Sequence, residues 1–200
     1  MNIRPNTRAL ALGLSAALAI GMMPVAFAQM SGGMSSQSSE HTVMVGGAAM
    51  YPSRNIVQNA IHSKDHTTLV AAVKAAGLVK TLEGPGPFTV FAPTNEAFAA
   101  LPAGTVENLL KPANKGELTK VLTYHVVPGH YTSSELAADA AKDGGWVSLK
   151  TVEGDSIKVG KDASGAWAVK DDKGDVAHIT IPDVMQSNGV IFVIDKVLMP

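Results

Sequence analysis

Residues 88–98 read FTVFAPTNEAF, and this stretch decides the fold. Its first four residues, Phe88 to Phe91, are aromatic or β-branched and predict a strand. Pro93 ends that strand, because proline has no backbone N–H to donate to a sheet. Thr94 then predicts the N-cap of a helix. A strand that turns at once into a helix is therefore expected near the middle of the chain.

Three further side chains of this stretch have structural tasks at the corner. Asn95 is short enough to bond backbone groups there. Glu96 falls in the first helical turn, where the helix dipole favours an anion. Phe98 is expected to hold the new helix against the core. No polar group in the stretch is left over to indicate chemistry.

Apolar residues at helical spacing predict four more helices, two before this stretch and two after it. Each begins at a residue or pair that favours helix initiation. The predicted caps are Ser53, Asp65, Asn114 with Glu117, and Thr132 with Glu135. Gly77 is predicted to end the second of these helices, and Gly144-Gly145 the last.

From residue 146 onward the hydrophobic period changes to two, which predicts strands. The predicted strands are Trp146 to Val152, Ser156 to Val159, Ala166 to Lys170, Val176 to Ile181 and Gly189 to Leu198. Short turns containing Gly or Asp separate the first four, as in an antiparallel meander. The last has few polar residues before Asp195 and is expected to be buried on both faces. Helices that come early and strands that come late predict an α+β fold.

The N-terminal segment predicts export. Arg4 and Arg8 precede an uncharged, apolar run that ends in Ala26-Phe27-Ala28, which is the order of regions in a secretory signal peptide. A membrane anchor is the competing interpretation, since the run approaches spanning length, but the glycines and the proline within it weigh against that. We therefore expect a signal peptide over residues 1–28, no stable membrane span after its cleavage, and a periplasmic or secreted protein.

Composition sets further limits. The chain has 200 residues, 16 of them basic and 17 acidic, so its length fits one ordinary domain and its charge predicts no nucleic-acid partner. Loss of Arg4 and Arg8 with the signal peptide leaves 14 basic residues against the 17 acidic ones, a net charge of −3. The absence of cysteine excludes disulfides, thiolate metal sites, cysteine nucleophiles and lipoprotein processing.

Residues 29–42, QMSGGMSSQSSEHT, predict a flexible linker before a single domain over residues 43–200. The segment is rich in Ser, Gly and Gln, and it has too few apolar residues to offset the entropy of ordering it. Met30, Met34 and His41 could bind Cu(I), but they form no tight repeat. A plain linker is the favoured interpretation.

A second metal hypothesis concerns His62 and His66, whose spacing can place two imidazoles on one helix face. The residues between them, Ser63-Lys64-Asp65, indicate a break between two helices, and no acidic third ligand adjoins the pair. A solvated turn is therefore favoured, and no metal or cofactor is predicted.

The sequence contains no familiar catalytic pattern. It has no G-x-S-x-G nucleophile motif, no phosphate-binding G-x-x-x-x-G-K and no dinucleotide-binding glycine pattern. Acidic residues cluster in turns such as Asp171-Asp172, where their side chains favour turn formation. The protein is therefore predicted not to be an enzyme.

Three stretches resemble the signature segments of the fasciclin (FAS1) domain family. They are residues 88–98, the Tyr124-His125 pair within residues 122–129, and residues 188–198, which begin with Asn188-Gly189 and include Asp195. They occur in the family's order, and the resemblance extends from about residue 55 to residue 200. It implies a secreted, single-domain bacterial member with a FAS1-like fold, in which N-terminal helices pack on a mainly antiparallel sheet. One departure is Phe192, where the family usually carries a histidine, so a local polar contact is expected to be lost.

The resemblance also implies candidate binding residues. In animal members of the family, the segment of Tyr124-His125 and an Asp-Ile dipeptide, here Asp183-Val184, are implicated in adhesion to cell-surface receptors. A hydrogen-bonded core position is the favoured alternative for His125. Asp183, which follows Pro182 at a predicted turn, is expected to be exposed.

The sequence thus predicts a non-enzymatic, exported adhesion or interaction module. It would bind a cell-surface or extracellular-matrix protein or polysaccharide through its surface, as a monomer or weak oligomer. The alternative is a periplasmic protein that binds a metal or a small molecule, which rests on the Met/His linker and on the His62/His66 spacing.

Overall fold

The computed structural model describes residues 41–200. The predicted signal peptide and the predicted linker up to residue 40, with Met30 and Met34, lie outside the described residues. The described part begins with a hairpin in which Val43–Val45 (β1) pairs antiparallel with Ala48–Met50 (β2). The last residue of each strand is buried in the core.

Helices form most of the first half of this region. The α-helices are Ile56–Ala60 (α1), Thr67–Ala76 (α2), Val79–Leu82 (α3), Asn95–Ala99 (α4), Thr105–Leu109 (α5), Lys115–Tyr124 (α6) and Ser133–Ala140 (α7). Short 3-10 turns at Lys64–His66 and Pro112–Asn114 lead into α2 and α6. No helix between residues 41 and 200 is long and apolar enough to cross a membrane.

A seven-stranded sheet forms the other layer. Its strands are Phe88–Pro93 (β3), Val126–Pro128 (β4), Trp146–Lys150 (β5), Ser156–Lys161 (β6), Trp167–Lys170 (β7), Val176–Gln186 (β8) and Gly189–Ile194 (β9). Their order across the sheet is β4-β3-β9-β8-β7-β6-β5. Within this sheet β3 and β9 pair in parallel, and the other neighbours pair antiparallel. The predicted α+β class and the predicted meander are both confirmed.

The central strand β9 separates two halves of the core. Ile191 and Val193 belong to the cluster that includes α2 and α6, whereas Phe192 and Ile194 belong to the cluster that includes Leu136 of α7. This division follows from the alternation of side chains along a strand. All six residues of β9 are buried, which confirms the prediction that the strand is covered on both faces.

The first two helices begin at residues other than those predicted. Asn55, not Ser53, caps α1: its side chain accepts a hydrogen bond from the Gln58 N–H at 2.8 Å, and the Gln58 side chain accepts one from the Asn55 N–H. Asp65 does not cap α2, because it lies inside a 3-10 turn and the helix begins two residues later, at Thr67.

Of the two capping boxes predicted for later helices, one forms and the other does not. The pair Thr132 and Glu135 forms the predicted reciprocal box at the start of α7. Asn114 caps nothing with its side chain, which instead donates to the Asn108 carbonyl at 2.8 Å. Gly77 ends α2 in the left-handed conformation, with φ of 77°, as predicted.

Three elements end earlier than predicted. The helix α7 stops at Ala140, ahead of Gly144-Gly145. The strand β5 stops at Lys150, because the next backbone N–H bonds a carbonyl within the following turn. The strand β9 stops at Ile194, although Leu198 beyond it is still buried.

The strand β8 is longer than predicted and contains a bulge. It continues past Ile181 to Gln186 and pairs with β9 over most of this length. Between Ile181 and Val184 it has one residue more than the facing segment of β9, which defines the bulge. Asp183 lies in this bulge with φ of 54°, so the prediction that it follows a turn is wrong.

Candidate interaction site

Tyr124 lies at the end of α6, entirely inside the core. Its side chain is 0% exposed. The hydroxyl donates to the Ser156 carbonyl at 3.3 Å and accepts from the Asp172 N–H at 3.0 Å. Burial raises the pKa of Tyr124 to about 12, so the phenol is neutral at physiological pH. Tyr124 therefore connects α6 to the hairpins of the meander.

His125 is a hydrogen-bonded core residue, as the favoured alternative predicts. It is 2% exposed. Its Nε2 accepts from the Leu198 N–H at 3.0 Å, which leaves Nδ1 to donate to the Val121 carbonyl at 2.8 Å. Burial lowers the pKa of His125 to about 4, so the imidazole is neutral at pH 7. Neither ring nitrogen is available to a partner.

Asp183 is half-buried, and the expectation that it is exposed is wrong. Its carboxylate accepts a hydrogen bond from the Ser133 N–H at 2.7 Å and a second, short one from the Ser133 hydroxyl. The positive φ in the bulge turns this side chain toward the start of α7. Its neighbour Val184 is 1% exposed and belongs to the core.

Thr89 of β3 fixes the loop between β4 and α7 by hydrogen bonds. The Thr89 hydroxyl donates to the Gly129 carbonyl at 2.9 Å and accepts from the Tyr131 N–H at 3.0 Å. The Tyr131 ring lies so close to Gly129 that a Cβ there would contact it at 2.7 Å. The loop is therefore held by the sheet at one end and by Asp183 at the other.

These contacts create one continuous surface, which we call the loop–bulge surface and define as residues 128–134 and 182–183. Its exposed members are Pro128, His130, Ser134 and Pro182. The Tyr124-His125 pair lies directly before β4, below this surface, and has no exposed side chain of its own. The surface offers a backbone fixed by hydrogen bonds, together with small side chains and the rings of His130 and Tyr131, which suits recognition of a partner.

The third signature stretch holds the helical layer to the sheet. The Asn188 side chain accepts from the Ile56 N–H at 3.1 Å and donates to the Leu82 and Gly84 carbonyls, each at 2.8 Å. A Cβ at Gly189 would collide with the Phe88 carbonyl oxygen across the parallel pair. The residue types at these two positions are therefore set by packing and hydrogen bonding.

The first stretch performs its predicted tasks with one difference. Thr94 caps α4, and Phe98 is buried against the core. Asn95 does not bond backbone groups at the strand-to-helix corner where it lies. Its amide donates to the Lys64 carbonyl at 2.7 Å, and its oxygen accepts from the Thr68 N–H at 3.0 Å. It thus fixes the 3-10 turn that precedes α2.

Two further motif residues are accounted for by local contacts. Asp195 accepts from the His178 N–H at 2.7 Å and ties the end of β9 to β8. Phe192 is fully buried, and its ring stacks on Phe91 with centroids 5.5 Å apart. An aromatic contact occupies this position, where a polar contact is expected for a histidine.

The structure separates the two histidines of the metal hypothesis. His62 is exposed in the turn after α1, whereas His66 is the buried last residue of the 3-10 turn. The predicted break between two helices is confirmed. Over residues 41–200 no group of three or more His, Asp or Glu side chains could hold a metal ion. His41 is exposed at the edge of the described region.

The sequence did not indicate Ser133 or Thr89 as parts of the site. Ser133 meets its partner Asp183 50 positions along the chain, and Thr89 meets Tyr131 42 positions along. No local pattern encodes contacts of such separation. The Thr132–Glu135 capping box was the one available signal, since it places a helix start beside the loop.

Comparison with known proteins places these features in a family. The model of the fasciclin domain matches residues 64–200. The chain is 45% identical over 184 residues to protein sll1483 of Synechocystis sp., across 91% of this chain and 90% of that protein. It is 35% identical over 146 residues to immunogenic protein MPB70 of Mycobacterium bovis, across 70% and 66% of the two chains.

Animal proteins show the same likeness over a smaller share of their length. Transforming growth factor-beta-induced protein ig-h3 of Sus scrofa is 42% identical over 132 residues, which is 66% of this chain and 17% of that protein. A solved FAS1 domain pair from the insect cell adhesion molecule fasciclin I superposes with a TM-score of 0.65 at 21% identity. That match covers 75% of this chain and 52% of the other, and it shows the fold alone.

Proposed function

Because the chain belongs to the fasciclin domain family, we propose that it is an exported, non-enzymatic interaction module that binds a cell-surface or extracellular-matrix component through the loop–bulge surface. Fasciclin domains occur in adhesion proteins, among them the insect molecule whose domain pair shares this fold. Export is proposed from the N-terminal signal pattern alone. The partner would be a protein or a polysaccharide, bound by a monomer or weak oligomer.

The observation that carries this proposal is the double hydrogen bond between Ser133 and Asp183. It joins a loop and a strand bulge that would otherwise move independently. A surface ordered before binding loses less conformational entropy on association, and this favours specific recognition. The exposed side chains nearest this link are Ser134 and Pro182.

The family's Tyr124-His125 segment acts indirectly in this proposal. Both side chains are buried, so they contribute by fixing the corner between α6 and β4 from which the loop emerges. Val184 contributes in the same way, as a core residue beside the bulge. Direct contact with a partner is assigned to His130, Pro182 and the edge of Asp183.

The test is quantitative binding of the purified protein to immobilised fractions of the native cell envelope and secreted matrix. We expect saturable binding. A variant with His130→Ala and Pro182→Ala, both exposed positions, should bind at least tenfold more weakly, while its free energy of unfolding falls by no more than about 1 kcal/mol through the loss of the proline. Absence of saturable binding to any fraction, or equal binding by this variant, would contradict the proposal.

Asp183→Ala gives a second variant, with Asp162→Ala as its matched control. Asp162 also accepts hydrogen bonds from the N–H and hydroxyl of a serine, Ser164, but in the hairpin between β6 and β7. Both substitutions remove these two kinds of bond, and Asp162→Ala also removes a bond from the Ala166 N–H and a contact with His178. Only Asp183→Ala is expected to weaken binding, because only that residue orders the loop–bulge surface.

A further inference from the structure

A cavity of about 60 Å³ lies inside the domain, between the helical layer and the sheet. Its wall is formed by the β1–β2 hairpin, α1, α2 and the strands β3 and β9, and includes Met50, Val57, Val73, Val90 and Ile191. A site for one water needs roughly 10–15 Å³ and several polar partners. This cavity has ample volume but an almost wholly apolar wall, so water is poorly held there.

His66 provides the exception in that wall. It is 3% exposed, and its Nδ1 pairs with the Ser63 hydroxyl at 2.9 Å. Its Nε2 has no hydrogen-bond partner among the described residues. His125 also borders the cavity, but both of its nitrogens are paired. Buried polar atoms in folded proteins nearly always have a partner, so an unpaired Nε2 beside a cavity indicates a missing one.

The His66 imidazole is neutral at pH 7. Burial lowers its pKa below the ordinary value; the Ala92 carbonyl and the carboxylates of Asp65 and Glu96 oppose that shift. The Ala92 carbonyl does not reach hydrogen-bonding geometry with Nε2. A neutral imidazole offers one donor and one acceptor nitrogen, and the Ser63 hydroxyl can pair with either form of Nδ1. The best partner for Nε2 is therefore a group that can both donate and accept a hydrogen bond.

We propose that this cavity binds a small apolar molecule that carries one hydroxyl group, with the hydroxyl paired to His66 Nε2 and the apolar part enclosed by α1, α2 and the sheet. A hydroxyl matches both tautomers of the imidazole, whereas an ammonium donates only and a carboxylate would be a buried charge without a counter-ion. An engineered apolar cavity of roughly 150 Å³ holds benzene, which has six carbon atoms, so the smaller volume here fits an alkyl chain of about two carbon atoms with its hydroxyl.

His66 is held in place for this role by its neighbours in the chain. The 3-10 turn that carries it is fixed by Asn95, which bonds Lys64 and Thr68 on either side of the histidine. The Lys64 N–H also donates to the Gly46 carbonyl at 3.2 Å, which attaches the turn to the β1–β2 hairpin. These contacts fix the backbone of the turn, and the Ser63 hydroxyl orients the imidazole.

The outer side of the cavity offers a route of entry. Val70 and Leu78 are half-buried there, and Lys74 is exposed. A lysine can keep its ammonium in water while its methylene groups cover apolar surface. Rotation of these side chains would open the cavity without displacing a strand.

The test compares two probes of equal chain length, ethanol and chloroethane, by amide NMR titration of the purified protein. Both are expected to shift the resonances of amides that border the cavity, in a saturable manner. In His66→Phe, which keeps a ring but loses the nitrogens, the affinity for ethanol relative to chloroethane should fall about fivefold. The imidazole Nε2 resonance of the natural protein should respond to ethanol and not to chloroethane.

A pair of variants checks the location. Val73→Leu adds one methylene group at the cavity wall, and Val169→Leu makes the same change in the other core cluster. Only Val73→Leu should weaken the binding of both probes. The proposal is overturned if neither probe saturates, if the Kd ratio is unchanged in His66→Phe, or if Val169→Leu weakens binding as much as Val73→Leu. If His66→Phe does not fold, the Nε2 resonance decides by itself.

Discussion

Asp183, in the bulge of β8, accepts hydrogen bonds from both the backbone N–H and the hydroxyl of Ser133, the first residue of α7. These residues are 50 positions apart, and their contact determines the shape of the loop–bulge surface. The same carboxylate thus has a structural role at a place where the family resemblance implies adhesion.

Removal of this carboxylate should cost stability in a graded way. Asp183→Ala loses both bonds to Ser133, and we expect a decrease of about 2 kcal/mol in the free energy of unfolding, since hydrogen bonds to charged groups are the stronger kind. Asp183→Asn should lose less, because asparagine retains an acceptor and tolerates a positive φ. Urea unfolding of the three proteins measures this order, and an equal loss in both variants would contradict it.

Asn188 is expected to be among the most sensitive buried positions. Asn188→Ala removes three hydrogen bonds and leaves the Ile56 N–H without a partner, so we expect a loss of about 3 kcal/mol or more. Asn108→Ala is the matched control, because the Asn108 side chain bonds only Lys111 at the surface. Its effect should stay within about 0.5 kcal/mol. Chemical unfolding compares the two, and similar losses would contradict the assigned role.

The position of Gly189 should not tolerate even the methyl side chain of alanine. In Gly189→Ala the new Cβ would collide with the Phe88 carbonyl and force apart the parallel strands β3 and β9. We expect the variant to be unfolded or to lose several kcal/mol. Gly116→Ala, in α6 with open space around it, should be neutral or stabilise by about 0.5–1 kcal/mol. Circular dichroism and thermal unfolding distinguish these outcomes, and a stable Gly189→Ala protein would refute this packing argument.

Stability should fall as the pH drops below 6.5. His125 has a folded pKa of about 4, below its ordinary value of 6.5, so protons bind the unfolded chain first. The contribution of neutral His125 to the free energy of unfolding is complete above pH 6.5. It is lost progressively as the pH falls to about 4, for a total of about 3 kcal/mol. His66 acts in the same direction, since burial lowers its pKa as well.

Urea unfolding at pH 7 and pH 4.5 measures this dependence. His125→Gln should reduce the difference between the two pH values, because glutamine does not titrate. An unchanged pH dependence in His125→Gln would show that another group is responsible.

Export should produce a mature chain that begins at Gln29. Cleavage after Ala28 removes the apolar run and both N-terminal arginines. Intact-mass measurement of the protein recovered outside the cytoplasm tests this. Ala28→Arg, which places a large charged residue at the cleavage site, should leave the segment uncleaved. A natural protein that keeps its N-terminal segment would instead support the membrane-anchor alternative.

Local patterns in the sequence predicted the elements well where one short segment contains all the necessary information. The corner at Thr94, the box of Thr132 and Glu135, and the helix end at Gly77 were all found in this way. Prediction failed at Asn114, whose amide bonds the carbonyl of Asn108 in α5 instead of capping its helix. A suitable residue type at a suitable position does not decide between two available partners.

The site was predicted less well because its contacts join distant parts of the chain. Asp183 was expected at an exposed turn, since Pro182 precedes it, but the strand continues through a bulge that exists only because β9 pairs on both sides of it. The cavity beside His66 is a second case. Its wall comes from the hairpin, the helices and the sheet together, and no one of these segments shows an empty volume.

The sequence by itself determined the α+β class and the burial of β9, because alternation, capping and turn residues act between near neighbours, and its three signature stretches indicated the family. It did not predict the hairpin β1–β2 or the short helices α3 and α5. The tertiary structure alone decided which polar groups meet. Ser133 bonds Asp183, Asn95 bonds the turn before α2, and His66, whose Nε2 is unpaired, lines an apolar cavity. Such meetings depend on how whole layers pack, and packing brings together atoms whose separation along the chain carries no local signal.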